Sequence, residues 1–182
     1  MTTFTSFVSL TRLTAMLAAG TFLLAVANGA STMDGVVEVP AALNPHKLST
    51  FRVVSAKGVQ VYICSRNPAG ATSWILRGPD AELFDQQDKS VGKHYAGPTW
   101  EGLDGGKVVG EMKTSLPAPI DKAVPWLMLD AKSHEGSGVF TQAQAIVRMG
   151  TTGGTPPSDG CDEARAGQEL RVPYTAIYVF LK

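Results

Sequence analysis

Long hydrophobic runs, cysteines and a surplus of either charge are what this sequence has least of. An unbroken stretch of apolar and small residues, 13–26, is 14 residues long, short of the roughly 20 that a membrane-spanning helix needs. It follows the lone positive charge of Arg12 and runs into Ala25-Val26-Ala27, a small-x-small cleavage pattern, with Ala30 as a second candidate. Residues 1–27 therefore read as a signal peptide, with cleavage as late as residue 30 as the alternative. The mature chain is expected to be secreted or periplasmic and to have no membrane span. With no Cys at the cleavage point, a lipid anchor is not expected.

Charge of one sign is also missing. Lys and Arg number 16 against 16 Asp and Glu, and removal of Arg12 leaves 15 against 16, a formal net charge of −1. The basic residues are scattered singly, whereas nucleic-acid binding rests on clustered cations that neutralise phosphates. No nucleic-acid partner is expected. About 150 mature residues suffice for one hydrophobic core, and no internal repeat or linker divides residues 31–182, which are read as a single domain.

Histidine is scarce, and the motifs that announce catalysis or a cofactor are absent. His46, His94 and His134 show no metal-ligand spacing, so no metal is expected. There is no G-x-S-x-G nucleophile element. "GTTGGTPP" lacks the Lys-Ser/Thr end of a phosphate loop and runs into prolines, so no cofactor is expected. Glu101 and Asp104 are three residues apart, but Asp104 belongs to a "DGG" turn, where Asp is favoured for local backbone bonding alone. The only two cysteines, Cys64 and Cys161, are most simply read as a disulfide in an oxidising compartment. Such a bridge would close a loop of about a hundred residues and tie an early strand to a late loop.

What the chain does have is a period of two. In "VQVYIC", Val59, Val61 and Ile63 face one way and Gln60, Tyr62 and Cys64 the other. In "PYTAIYVFLK", Tyr174, Ala176, Tyr178 and Phe180 alternate with Thr175, Ile177, Val179 and Leu181, and both sets suit a strand covered on both faces. Further short strands are expected at 51–55, 72–76, 107–113, 126–131 and 142–148, separated by turn sequences such as "RGPD", "LPAP" and "EGSG". The expected fold is all-β, a single-domain β-sandwich or barrel of about 8 short strands with little helix. "PDAELFDQQ", with Pro79 in first-turn position and acids near its start, is the one helical candidate, of at most two turns.

The stretch "GKHYAGPTWEGLDGG" concentrates recognition chemistry. "YAGPTWE" reads as a strand kinked at Gly97-Pro98, and "LDGG" as a tight hairpin turn into "KVVGEM". His94, Tyr95, Trp100 and Glu101 are the candidate ligand-binding residues: aromatic faces to stack on a sugar or other small molecule, polar groups to orient it. Tyr62, Trp126 and Gln60 are further contributors. Trp and Tyr in small β-domains also serve as core, and His94 can equally be a structural histidine.

Several long motifs together carry a resemblance: "AKGVQVYIC", Trp74 before "GPDAELFD", "VGKHYAGPTWEGLDGGKVVG", "VPWLMLDAKSHEGSGVF", "TTGGTPPSDGCD" and "VPYTAIYVF". In this order they resemble the secreted domain of unknown function 3455 (DUF3455) family over residues 40–180. The resemblance implies an exported, single, all-β domain and brings no agreed activity, substrate or catalytic residue. This chain departs from the family pattern at Val147 and Gly150 in "IVRMGTT" and at Ile177, where a polar or acidic residue is expected, and the "IVRMG" strand is therefore not nominated as functional. Two functions of different class remain. One is a non-catalytic module that binds a small molecule, a carbohydrate among the candidates, or associates with an envelope component. The other is a hydrolase-type enzyme using His94 and Glu101 as acid and base.

Overall fold

A computed structural model describes residue 1 and residues 37–66 and 70–182. Apart from Met1, the expected signal peptide and both cleavage points lie outside the described residues. Val36–Lys182 forms one compact unit. Its two-residue period is realised in eight strands: β1 (Thr50–Arg66), β2 (Thr72–Phe84), β3 (Ser90–Tyr95), β4 (Thr99–Gly102), β5 (Lys107–Leu116), β6 (Trp126–Glu135), β7 (Ala145–Gly153) and β8 (Glu169–Leu181). Each pairs antiparallel with the next, and β8 pairs with β1 from Thr50↔Leu181 to Ile63↔Glu169. The sheet thus closes into an up-and-down barrel, which decides between the two expected architectures and leaves no exposed sheet edge.

Three local expectations change. Residues 51–55 and 59–64 belong to one long strand, because Val54, Ala56, Gln60, Tyr62 and Cys64 keep a single inward phase. "PDAELFDQQ" is not helical: "DAELF" alternates outward Asp80 and Glu82 with inward Ala81 and Leu83 and completes β2. Pro79, which has no N–H for a ladder, is tolerated there because it lies opposite Gln60, beside the register shift at Val61/Tyr62. The third change is the supposed kink at Gly97-Pro98, which is a full hairpin. It folds β4 back on β3 with His94↔Trp100 and Lys93↔Glu101 as cross-strand partners, and Gly97 takes φ 139°, where a side chain would be strained.

The two faces of the wall are buried against different things. Inward, Trp100, Phe140, Phe180, Leu83 and Val108 form the main core. Phe140 comes from a one-turn 3-10 helix (Val139–Gln142) in the β6–β7 connection and stacks on Phe180 at 4.5 Å between ring centroids, so this end of the barrel is plugged. Asp104, in the β4–β5 turn, fastens that helix by accepting from the Val139 amide at 2.7 Å. Outward, Val147, Val179, Leu181 and Met128 are covered by a strap ahead of β1 that contributes Val37, Val39, Leu43 and Leu48. β8 is therefore covered on both faces, as its two apolar sets require.

At the opposite end, Cys64 near the end of β1 is bonded to Cys161 in the β7–β8 connection, with an S–S distance of 2.05 Å and a sequence separation of 97. The Trp74 indole donates to the Asp159 carbonyl at 3.0 Å, and the Gly167 amide to the Cys64 carbonyl at 2.8 Å. The expected disulfide is present, and these bonds fasten the same loop beside it. No helix among the described residues is long and apolar enough to cross a membrane.

Candidate functional site

Antiparallel order places the β1–β2, β3–β4, β5–β6 and β7–β8 connections at one end of the barrel, the end that bears the disulfide. The interior below them holds a cavity of about 420 Å³. Trp100, His94, Tyr178 and Leu129 line its inner part, and Leu76, Arg77, Pro98 and Met112 are among the residues nearer the surface. Leu76 is 52% and Met112 58% exposed, large apolar side chains in contact with water at the mouth. An eight-stranded barrel is just wide enough to be filled by its own side chains or to hold one small ligand. Here the closed end follows the first course and the disulfide end the second. Gly110 makes room behind the lining: a Cβ there would stand 3.0 Å from Trp100 and 3.1 Å from Leu129.

The four nominated residues divide between the two faces. His94 and Trp100 point inward, 2% and 1% exposed, with rings stacked at 4.4 Å, and both line the cavity. Tyr95 and Glu101, their chain neighbours, point outward, and the Tyr95 hydroxyl donates to Glu101 Oε2 at 2.7 Å. That bond is the largest cause of a raised Tyr95 pKa. The hairpin at 96–98 is the physical reason: it reverses the chain, so the two pairs are cross-strand neighbours on opposite faces instead of one row along a bent strand. His94 and Glu101, proposed above as acid and base, are separated by the thickness of the sheet. One indole face is covered by His94, and Tyr178 and Phe180 meet the ring edge to face, so Trp100 is not a free platform for sugar stacking.

Of the further contributors, Gln60 lines the cavity and is 1% exposed, with no hydrogen-bond partner for Nε2. Tyr62 is buried and donates to the Gly154 carbonyl at 2.7 Å. Trp126 packs against the outer cluster beneath the strap. His46 is exposed, and His134 Nε2 bonds the Ala143 carbonyl. Among the described residues no group of three His, Cys, Asp or Glu side chains is placed to hold a metal ion.

Arg148 and Tyr178 are among the lining residues that the sequence reading does not nominate. Arg148 sits in the very "IVRMG" strand set aside for its departures from the family pattern. Its phase was nevertheless readable: one cation two residues from Ile146, in an otherwise apolar strand, shares the inward face. Its Nε and Nη2 donate to the Pro125 carbonyl at 3.0 and 2.8 Å, and its charge acts on Tyr62, His94, Tyr174 and Tyr178.

The histidine and the tyrosines in and beside the cavity are fixed in neutral forms. Burial lowers the His94 pKa to about 3; the bond to the Thr99 carbonyl opposes the shift and the Arg148 charge adds to it. That carbonyl, 2.8 Å from Nδ1, can only accept, so Nδ1 carries the proton and Nε2 keeps a lone pair. Burial raises Tyr178 and Tyr174 well above the usual phenol range, leaving both as hydroxyl groups. The site is therefore an apolar hollow with neutral donors and acceptors, overlooked by the guanidinium groups of Arg148 and Arg77.

No curated protein and no solved structure matches this chain. The profile of the family described as Protein of unknown function (DUF3455) matches residues 45–182, covering all eight strands, and the chain belongs to that family.

Proposed function

We propose that the protein is a non-catalytic binding module that holds one small molecule inside the disulfide-bearing end of its barrel. A single observation carries this reading: a cavity of about 420 Å³, opening between exposed Leu76 and Met112, with the unpartnered Gln60 Nε2 in its lining. A buried donor without an acceptor is destabilising by about 1–3 kcal/mol, and bound ligand or ordered water removes that penalty. The volume lies in the usual range for small-molecule sites, which are apolar with a few polar groups that fix orientation. With one face of Trp100 stacked on His94 and its ring in edge contact with Tyr178 and Phe180, a compact apolar ligand with a polar group is favoured over a sugar laid flat. Export to a secreted or periplasmic location is part of the proposal, supported by the Cys64–Cys161 bridge, since such bonds persist in oxidising compartments.

Thermal unfolding in the presence of a small-molecule library tests the reading, because a ligand that binds only the folded state raises Tm with its concentration. Leu127→Trp, which places an indole in the cavity, should abolish that rise. Tyr95→Phe, on the outer face, should leave it intact. A ligand whose stabilisation survives Leu127→Trp and is lost in Tyr95→Phe would move the site to the outside of the wall and overturn the proposal.

A further inference from the structure

Resting on that reading, we infer that the cavity selects an amphipathic monoanion, a small molecule with a carboxylate at one end and an apolar body. The sign of the charge follows from what lines the hollow. Two guanidinium groups, Arg77 and Arg148, contribute to the lining, and no Asp or Glu does. Among the described residues neither arginine has a carboxylate within ion-pair distance, although eight ion pairs occupy other surfaces of the barrel. Asp80, one residue beyond the lining Pro79, is held outward by Arg171 at 2.5 Å. His94 is neutral and contributes no competing charge.

Arg148 is the group placed to receive the anion. Two of its donors are held by the single carbonyl of Pro125, and a guanidinium has five N–H groups in a planar fork that matches a carboxylate. The Pro125 bonds and a side-chain hydrogen bond to Tyr178 anchor the head, and the rest of its five N–H groups remain for an anion. Gln60 Nε2, buried and unpartnered, is a second donor in the same lining, and the Tyr178 hydroxyl is a third neutral one. Leu127 and Leu129 supply apolar wall, and Leu76 and Met112 apolar rim. A carboxylate on Arg148 would leave its hydrocarbon body against these side chains, where burial is favourable.

The test compares matched head groups on wild-type protein: decanoate, decan-1-ol and decylamine, together with 2-naphthoate and 2-naphthalenemethanol, read by Tm shift and by Trp fluorescence titration. Each carboxylate should bind at least about tenfold more tightly than its alcohol, the scale of one charged hydrogen-bonded contact, and decylamine more weakly than either. Arg148→Met should bring each acid to within about threefold of its alcohol, and Arg148→Lys should restore part of the difference. Acids and alcohols binding wild-type protein equally, or decylamine binding best, would overturn the charge inference while leaving the binding module in place. Stabilisation by none of the five would remove both. Should Arg148→Met fail to fold for want of the Pro125 contact, the head-group series on wild-type protein decides the matter alone.

Discussion

The two ends of the barrel are built from the same alternation and put to opposite uses. At the closed end the inward positions carry Phe140, Phe180, Leu83 and Val108, stacked and fully buried, under a one-turn helix fastened by Asp104. At the disulfide end the inward positions carry Gln60, Arg148, Tyr178 and His94 around a hollow, with Leu76 and Met112 left in water. One end therefore supplies stability, and the other accepts orphaned donors and exposed apolar surface, features that stability alone would remove. The disulfide stands at the second end, where packing is thinnest and a covalent tie offsets the missing core.

That contrast can be broken at several points, from the largest effect downward. Replacing both cysteines by Ser should lower unfolding free energy by about 4–5 kcal/mol on the chain-entropy account of a loop this long, measured by denaturant titration against the oxidised protein. A loss below about 1 kcal/mol would mean that the disulfide end is held by its hydrogen bonds instead. Phe140→Ala should cost about 3–5 kcal/mol while ligand-induced shifts in Tm persist, since the cavity lies at the other end. Loss of binding in step with stability would show that the two ends are coupled.

His94 gives the contrast a pH signature. Above pH 6.5 both folded and unfolded chains hold the ring neutral. Below it the unfolded chain takes up a proton that the folded chain refuses until about pH 3. Stability contributed by the neutral ring is therefore present above 6.5 and falls by about 1.4 kcal/mol per pH unit beneath it. Unfolding titrations between pH 7 and 4.5 should show this slope in excess of that of His94→Gln, and identical slopes would refute it. Gln60→Leu should raise stability by about 1–3 kcal/mol by removing the unpartnered donor and should weaken ligand binding; greater stability with unchanged affinity would exclude the amide from the site. Smallest of all, Leu76→Ser with Met112→Ser at the rim should alter stability by no more than about 0.5 kcal/mol yet reduce ligand affinity in fluorescence titration.

Much of the frame was legible because alternation and turn chemistry are local. β1 and β8 stand where Val, Ile and aromatic residues recur every second position, β5 and β6 where short apolar runs are bounded by turn residues, and "LDGG" makes the turn its composition announces. The disulfide followed from the count of two cysteines and the expected compartment. Local signals failed where two structures share one vocabulary. Pro79 followed by acids is a helix start by rule, yet Ala81 and Leu83 recur at strand spacing, and closure of the ring gave their inward face a partner that no helix would have had. Gly97-Pro98 serves a kink or a hairpin equally, and choosing the kink put His94, Tyr95, Trp100 and Glu101 on one surface, while the register His94↔Trp100 puts them on two. Arg148 was passed over because its strand departed from the family pattern, although a pattern records what relatives have and not which face a side chain occupies.

The strap ahead of β1 has a practical consequence for anyone cutting the gene. The family match opens at residue 45, inside that segment and beyond Val37, Val39 and Leu43, so a fragment trimmed to the match keeps every strand and strips the cover from Met128, Val147, Val179 and Leu181. Such a fragment would present a bare greasy flank and clump in solution, and an expression clone that begins ahead of residue 36 avoids this.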